Sequence, residues 1–108
     1  MVTRKFKRFP VSMPSTLLLQ DSFRHKGSVR DLSERGCRVE SLINPFTGMR
    51  LSLLLHVPGD AQPITIANAA IRWCGSQGMG MEFLTVAKPE QDRLGRVIRQ
   101  LEAGKGCS

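Results

Sequence analysis

From Val11 to about Leu84 the chain runs as short apolar or alternating stretches broken by turn residues. This period-two pattern predicts strands rather than helices. Six strands are predicted: Val11 to Leu19, Lys26 to Asp31, Gly36 to Ser41, Met49 to Val57, Ile64 to Trp73 and Met79 to Phe83. The alternation is clearest where Leu51, Leu53, Leu55 and Val57 share one face and Met79, Met81 and Phe83 share another. Between strands lie INPFTG, PGDAQP and GSQG, each with Gly, Pro or Asn where the backbone must reverse. In ITIANAAIRW, Ile64 and Ile66 have one parity and Ile71 and Trp73 the other, which predicts a bulge or corner near Asn68 to Ala70. Bulges suit a curved sheet that closes into a barrel.

The period changes in the tail, KPEQDRLGRVIRQLEAGKG. Pro89 suits a first helical position, Glu90 and Asp92 suit the positive end of the helix dipole, and Gly104 suits the stop. Leu94, Val97, Ile98 and Leu101 form one apolar stripe at helical spacing, predicted to pack on the sheet. Gly95 inside that helix costs it about 1 kcal/mol. A chain of 108 residues with an apolar share of 41% makes one domain and has ample material for its core.

Charge is distributed unevenly. Residues 1–30 carry seven Lys or Arg against Asp21 alone, a net of +6, while the other 78 carry nine against eight. An anion should therefore dock at the amino-terminal third. Three widely spaced cysteines, Cys37, Cys74 and Cys107, form no Cys-x-x-Cys pair. They point to reduced thiols in a cytoplasmic protein rather than to a disulfide framework or zinc site. No apolar run reaches the length of a signal peptide or membrane span. His25 and His56 are the only histidines, and no Ser, Cys or carboxylate stands in a nucleophile motif, so the expected role is binding, with no enzyme activity and no metal.

Two stretches carry the chemistry. RKFKR, residues 4–8, sets four cations around Phe6; RDLSERGCRVE, residues 30–40, sets Asp31, Ser33 and Gly36 across a predicted turn. Asp31 supplies an acceptor carboxylate, Ser33 a hydroxyl that donates and accepts, and Gly36 a position able to take positive φ or admit a ligand to the backbone. Alone, the same three residues also read as a plain Asx or Ser/Thr turn closed by glycine. Together, R-x-x-x-R and D-x-S-x-x-G in this order on a β core resemble the PilZ domain, the bacterial receptor module for cyclic di-GMP. AAIRW followed by GMGMEF is similar to that family's late hairpin, and the tail to its closing helix.

The resemblance implies a six-stranded antiparallel β-barrel with a carboxy-terminal α-helix, of the stand-alone single-domain type. A basic arm would occupy residues 1–10, barrel and helix 11–103, and a tail 104–108. It implies cyclic di-GMP as ligand, with no other cofactor: Arg4 and Arg8 grip phosphate or guanine, Asp31 and Ser33 hold a base, and Gly36 keeps the turn. Guanidinium suits both phosphate and the O6/N7 edge of guanine, and a carboxylate suits the N1–H and N2–H₂ edge. Lys5 is either a phosphate contact or a solvated surface lysine. Trp73 is either a stacking platform for guanine or a core tryptophan. Thr3 stands where family members that bind an intercalated ligand pair carry an extra arginine, which favours one ligand per chain unless Lys5 or Arg35 compensates, so the resemblance leaves the stoichiometry open.

The arm, too charged to bury much by itself, is expected to order over the barrel on binding and to signal to a separate effector protein. Two other readings remain: a basic β-barrel for single-stranded nucleic acid, which the low aromatic content (6%) disfavours, and a PilZ-like adaptor that binds no nucleotide.

Overall fold

The structure, a computed structural model, describes residues 7–19 and 23–105, with Lys105 described by its backbone only. Six antiparallel strands and one helix follow in the order β1 (Phe9–Leu18), β2 (Arg24–Leu32), β3 (Gly36–Ser41), β4 (Arg50–Leu55), β5 (Ile64–Gly75), β6 (Gly78–Thr85) and α1 (Lys88–Lys105). The strands close into a barrel in the order β1-β2-β3-β6-β5-β4. All six strands lie where the alternation put them, as does the helix.

The alternation fills the barrel. Leu51, Leu53 and Leu55 of β4 and Met79, Met81 and Phe83 of β6 point inward, joined by Leu17, Val29, Leu32, Val39, Ile64, Ile66 and Ile71. Three glycines with positive φ, Gly48, Gly59 and Gly78, sit in or close the three predicted reversals. The slip near Asn68 is real: Leu51 faces Ala69 and Leu53 faces Ile66, so β5 carries an extra residue there.

β1 starts at Phe9, earlier than the alternation indicated, because the Phe9 ring is buried and pairs with Leu32 on β2. Phe9 and Pro10 thus belong to the barrel wall and not to the arm. At the other end, α1 runs through Gly104 to Lys105, so that glycine lies in the last turn and does not stop the helix. The final turn is where helices fray, and no neighbouring atom constrains this one.

Leu94, Val97 and Ile98 are buried against the barrel core, with Leu101 partly buried, as the stripe predicts. Polar clamps fix the angle of α1. Glu90 accepts the backbone N–H of Thr65 at 2.7 Å, and Arg93 donates to the Pro63 carbonyl at 3.0 Å. No helix among the described residues is long and apolar enough to cross a membrane.

Candidate functional site

The β1–β2 register puts Pro10 opposite Asp31. Arg8, two residues before Pro10, then reaches along the outer wall, and its Nη1 donates to Asp31 Oδ1 at 2.7 Å. The two predicted motifs, 23 residues apart in sequence, meet in this contact. Both side chains are partly exposed, so the pair itself adds little to stability and stays open to exchange with a solute.

A third charge completes the arrangement. Arg38 on β3 stands opposite Asp31, and its Nε lies 3.4 Å from Asp31 Oδ2. Its Nη1 donates to the Gln77 carbonyl in the β5–β6 turn at 2.7 Å and lies 3.4 Å from Glu40, which in turn accepts from Arg30 at 3.1 Å. Arg38 lies within RDLSERGCRVE but outside both motifs, and the sequence pattern alone did not single it out. The available signal was its place two residues after Gly36, on the same outward parity of a strand that must pair with Asp31.

The turn is built from Ser33. Its hydroxyl accepts from the N–H groups of Arg35 and Gly36 at 3.2 and 3.1 Å and donates to the Gly36 carbonyl at 3.2 Å. Ser33 is buried, so the hydroxyl is committed to the turn. Gly36 has neither the positive φ nor the open backbone that sequence allowed it. Instead it pairs with Glu82, and a Cβ built on it would overlap the Met81 carbonyl oxygen, so glycine is required for the close approach of β3 and β6. The Arg35 carbonyl accepts the Phe83 N–H at 2.8 Å and pins the turn to β6.

Trp73 is not a core tryptophan. It pairs with Gly80, which pairs with Arg38, so Trp73, Gly80, Arg38 and Asp31 form one row across four strands. The indole lies on the outer wall over Gly80, the residue whose missing side chain makes room for it, and is 43% exposed. A carboxylate, two guanidinium groups and an exposed aromatic ring therefore share one face. That set can pair with phosphate, accept from N–H groups and stack on a planar base.

Behind the site, the Cys37 thiol is buried in the barrel wall. Burial, reinforced by the Asp31 carboxylate and opposed by Arg8, pushes its pKa far above the ordinary value. Arg4 and Lys5 lie outside the described residues, as does Phe6. A hollow of about 890 Å³ lies further along β1, β2 and β3, lined by Ser28, Lys26, His56 and Leu42 among others, and includes neither Arg8 nor Asp31. Its lining has no guanidinium group, so the charged row is the better anion site. No group of three or more His, Cys, Asp or Glu among the described residues could hold a metal ion.

The family model for the PilZ domain matches residues 3–100. No curated protein matches the chain in sequence. Among solved structures, the PilZ domain with c-di-GMP of YcgR from Escherichia coli superposes with a TM-score of 0.73 at 18% identity, covering 96% of this chain and 95% of that one. The Bacillus subtilis Inhibitor of motility (MotI/DgrA) gives 0.71 at 18% identity over 94% of this chain, which spans only 53% of that protein. The PilZ domain of CeSA from a cellulose synthesizing bacterium gives 0.68 at 17%, covering 89% and 98%. At these identities the likeness is one of fold.

Proposed function

The chain belongs to the PilZ domain family, and from that premise we propose that it is a receptor for cyclic di-GMP that signals to a separate effector protein. The observation that carries the proposal is the contact of Arg8 with Asp31, one residue from each motif, in the row that ends at Trp73. Arg8 meets Asp31 through one nitrogen and can exchange that contact, turning its fork to a phosphate or a guanine edge. Asp31 accepts from the N1–H and N2–H₂ groups of guanine, and the Trp73 indole offers a stacking face. Ser33 and Gly36 serve through the turn, whose shape sets where Asp31 leaves β2. Arg4 and Lys5 complete the phosphate grip in this reading. Closure of residues 4–8 on the ligand changes the surface that the effector meets.

The YcgR domain, similar in fold, is a PilZ domain with c-di-GMP, which supports the choice of ligand; the same fold in an inhibitor of motility supports an adaptor output. Titration calorimetry with cyclic di-GMP tests the proposal. Arg8→Ala and Asp31→Ala should each weaken binding roughly ten- to a hundredfold, the value of one charge-assisted hydrogen bond. No binding by the unmodified protein at micromolar ligand overturns it.

One observation favours a second reading. Phe23 and Phe46, 64% and 62% exposed, add two outward aromatics to Trp73 on a chain of net charge +7. Single-stranded nucleic acid would use such rings, and binding of oligo-dT with a steep salt dependence would favour it.

A further inference from the structure

Arg38 belongs to neither motif, yet it touches the carboxylate on which the site turns. Asp31 divides its oxygens: Oδ1 takes Arg8 at 2.7 Å and Oδ2 faces Arg38 at 3.4 Å. The two arginines differ in how they are held. Arg8 precedes β1, and among the described residues Asp31 is its ion-pair partner. Arg38 sits inside β3 and is held from three sides, by Asp31 on β2, by Glu40 on its own strand and by the Gln77 carbonyl in the β5–β6 turn. Its side chain is also the less exposed, at 26% against 39%. A guanidinium fixed by several partners has lost its rotamer freedom already and loses little more when the site is occupied.

We propose that Arg38 is a positioning residue of the ligand site, holding Asp31 through Oδ2 while Arg8 exchanges Oδ1 for the ligand. This rests on the cyclic di-GMP reading. When Arg8 turns to a phosphate, Asp31 would otherwise lose its cationic partner and its fixed orientation. With Arg38 in place the carboxylate keeps one charge-assisted contact, and the vacated Oδ1 becomes the acceptor offered to guanine N–H groups. Arg38 also links Asp31 to the β5–β6 turn, so the carboxylate and Trp73 are set by one frame. Gly80, without a side chain, lets the indole lie against the wall beside Arg38.

A double-mutant cycle on cyclic di-GMP affinity tests this, with Arg38→Met and Asp31→Asn measured singly and together. Arg38→Met alone should weaken binding about tenfold, and in the Asp31→Asn background less than about twofold, because the group it acts through is gone. Arg38→Lys should recover part of the loss. Equal losses in both backgrounds would mean that Arg38 contacts ligand directly or supports the barrel generally, and would overturn the assignment. A ligand-free measurement stands beside it. The Arg38 Nε–H resonance should persist in Arg8→Ala and vanish in Asp31→Asn; its loss in Arg8→Ala would show that Arg38 does not hold Asp31 by itself. If the unmodified protein does not bind cyclic di-GMP, the receptor reading and this role fall together; if it binds but the losses add, this role falls alone.

Discussion

Replacing Gly36 by alanine separates a glycine kept for the barrel from one kept for a ligand. Gly36 opens β3 opposite Glu82, and its added Cβ would overlap the carbonyl oxygen of Met81. That atom is backbone and cannot swing aside, so β3 and β6 would have to part beside the turn that Ser33 closes. Overpacking of this kind costs about 1–3 kcal/mol. Alanine returns roughly 0.4–1 kcal/mol by restricting the unfolded chain, since Gly36 needs no positive φ. Taken at the middle of both ranges, the difference is a net loss of about 1.3 kcal/mol, a drop of several degrees in Tm for a domain of this size.

Gly95 supplies the opposite case in the same molecule. A Cβ there would meet Arg99 Nη1 at 3.5 Å and Glu34 Oε1 at 3.9 Å, ordinary contact distances, so Gly95→Ala should stabilise α1 by up to about 1 kcal/mol. Urea unfolding followed by far-UV circular dichroism reads both variants, with an unchanged slope confirming that only stability moved. A Gly36→Ala protein as stable as the parent, but unable to bind ligand, would refute the steric argument and return that glycine to the binding site.

Two further predictions use single probes. Trp73 is the only tryptophan, and Gly80→Ala should dislodge its indole from the barrel wall and shift its emission to the red; an unchanged spectrum would contradict the packing over Gly80. Cys74, exposed, should alkylate in the folded protein while Cys37 resists until unfolding. Because burial raises the Cys37 pKa above its ordinary 9.0, the folded state keeps a proton that the unfolded chain releases. Its contribution to stability is therefore complete below pH 9 and declines above it, by up to about 1.4 kcal/mol per pH unit, a slope that Cys37→Ala should lack.

Strand positions were legible because a half-buried strand must alternate, and Leu51, Leu53, Leu55 or Met79, Met81, Phe83 have no other explanation at that spacing. The helix was legible for the same reason at a different period. Phe9 was missed as a core residue because it sits between Arg8 and Pro10, where local composition reads as arm, and only the pairing with Leu32 reveals its burial. Arg38 was missed because its role depends on which residues β2 and the β5–β6 turn bring to it, and cross-strand neighbours are not written in local sequence. The motifs gave Arg8 and Asp31 as candidates. Their contact had to come from register.

That register contains the reason the site exists on the outer wall at all. Val29 and Leu32 both face the core though three residues apart, and a slip between Val29 and Asp31 against β3 accommodates the odd spacing. Without the slip Asp31 would share the inward parity of Val29, and a carboxylate would be buried among Cys37, Val39 and Leu32. β5 repeats the device. Ile71 and Trp73 have the same parity in sequence, yet a second slip between them against β6 leaves Ile71 in the core and turns the indole outward. Each bulge re-aims one side chain, and both deliver it to the same cross-strand row, flanking Arg38 and Gly80. The charged and aromatic parts of the candidate site are thus placed by two of the barrel's register slips, which is why period-two reasoning located the strands and still left Trp73 open between core and surface.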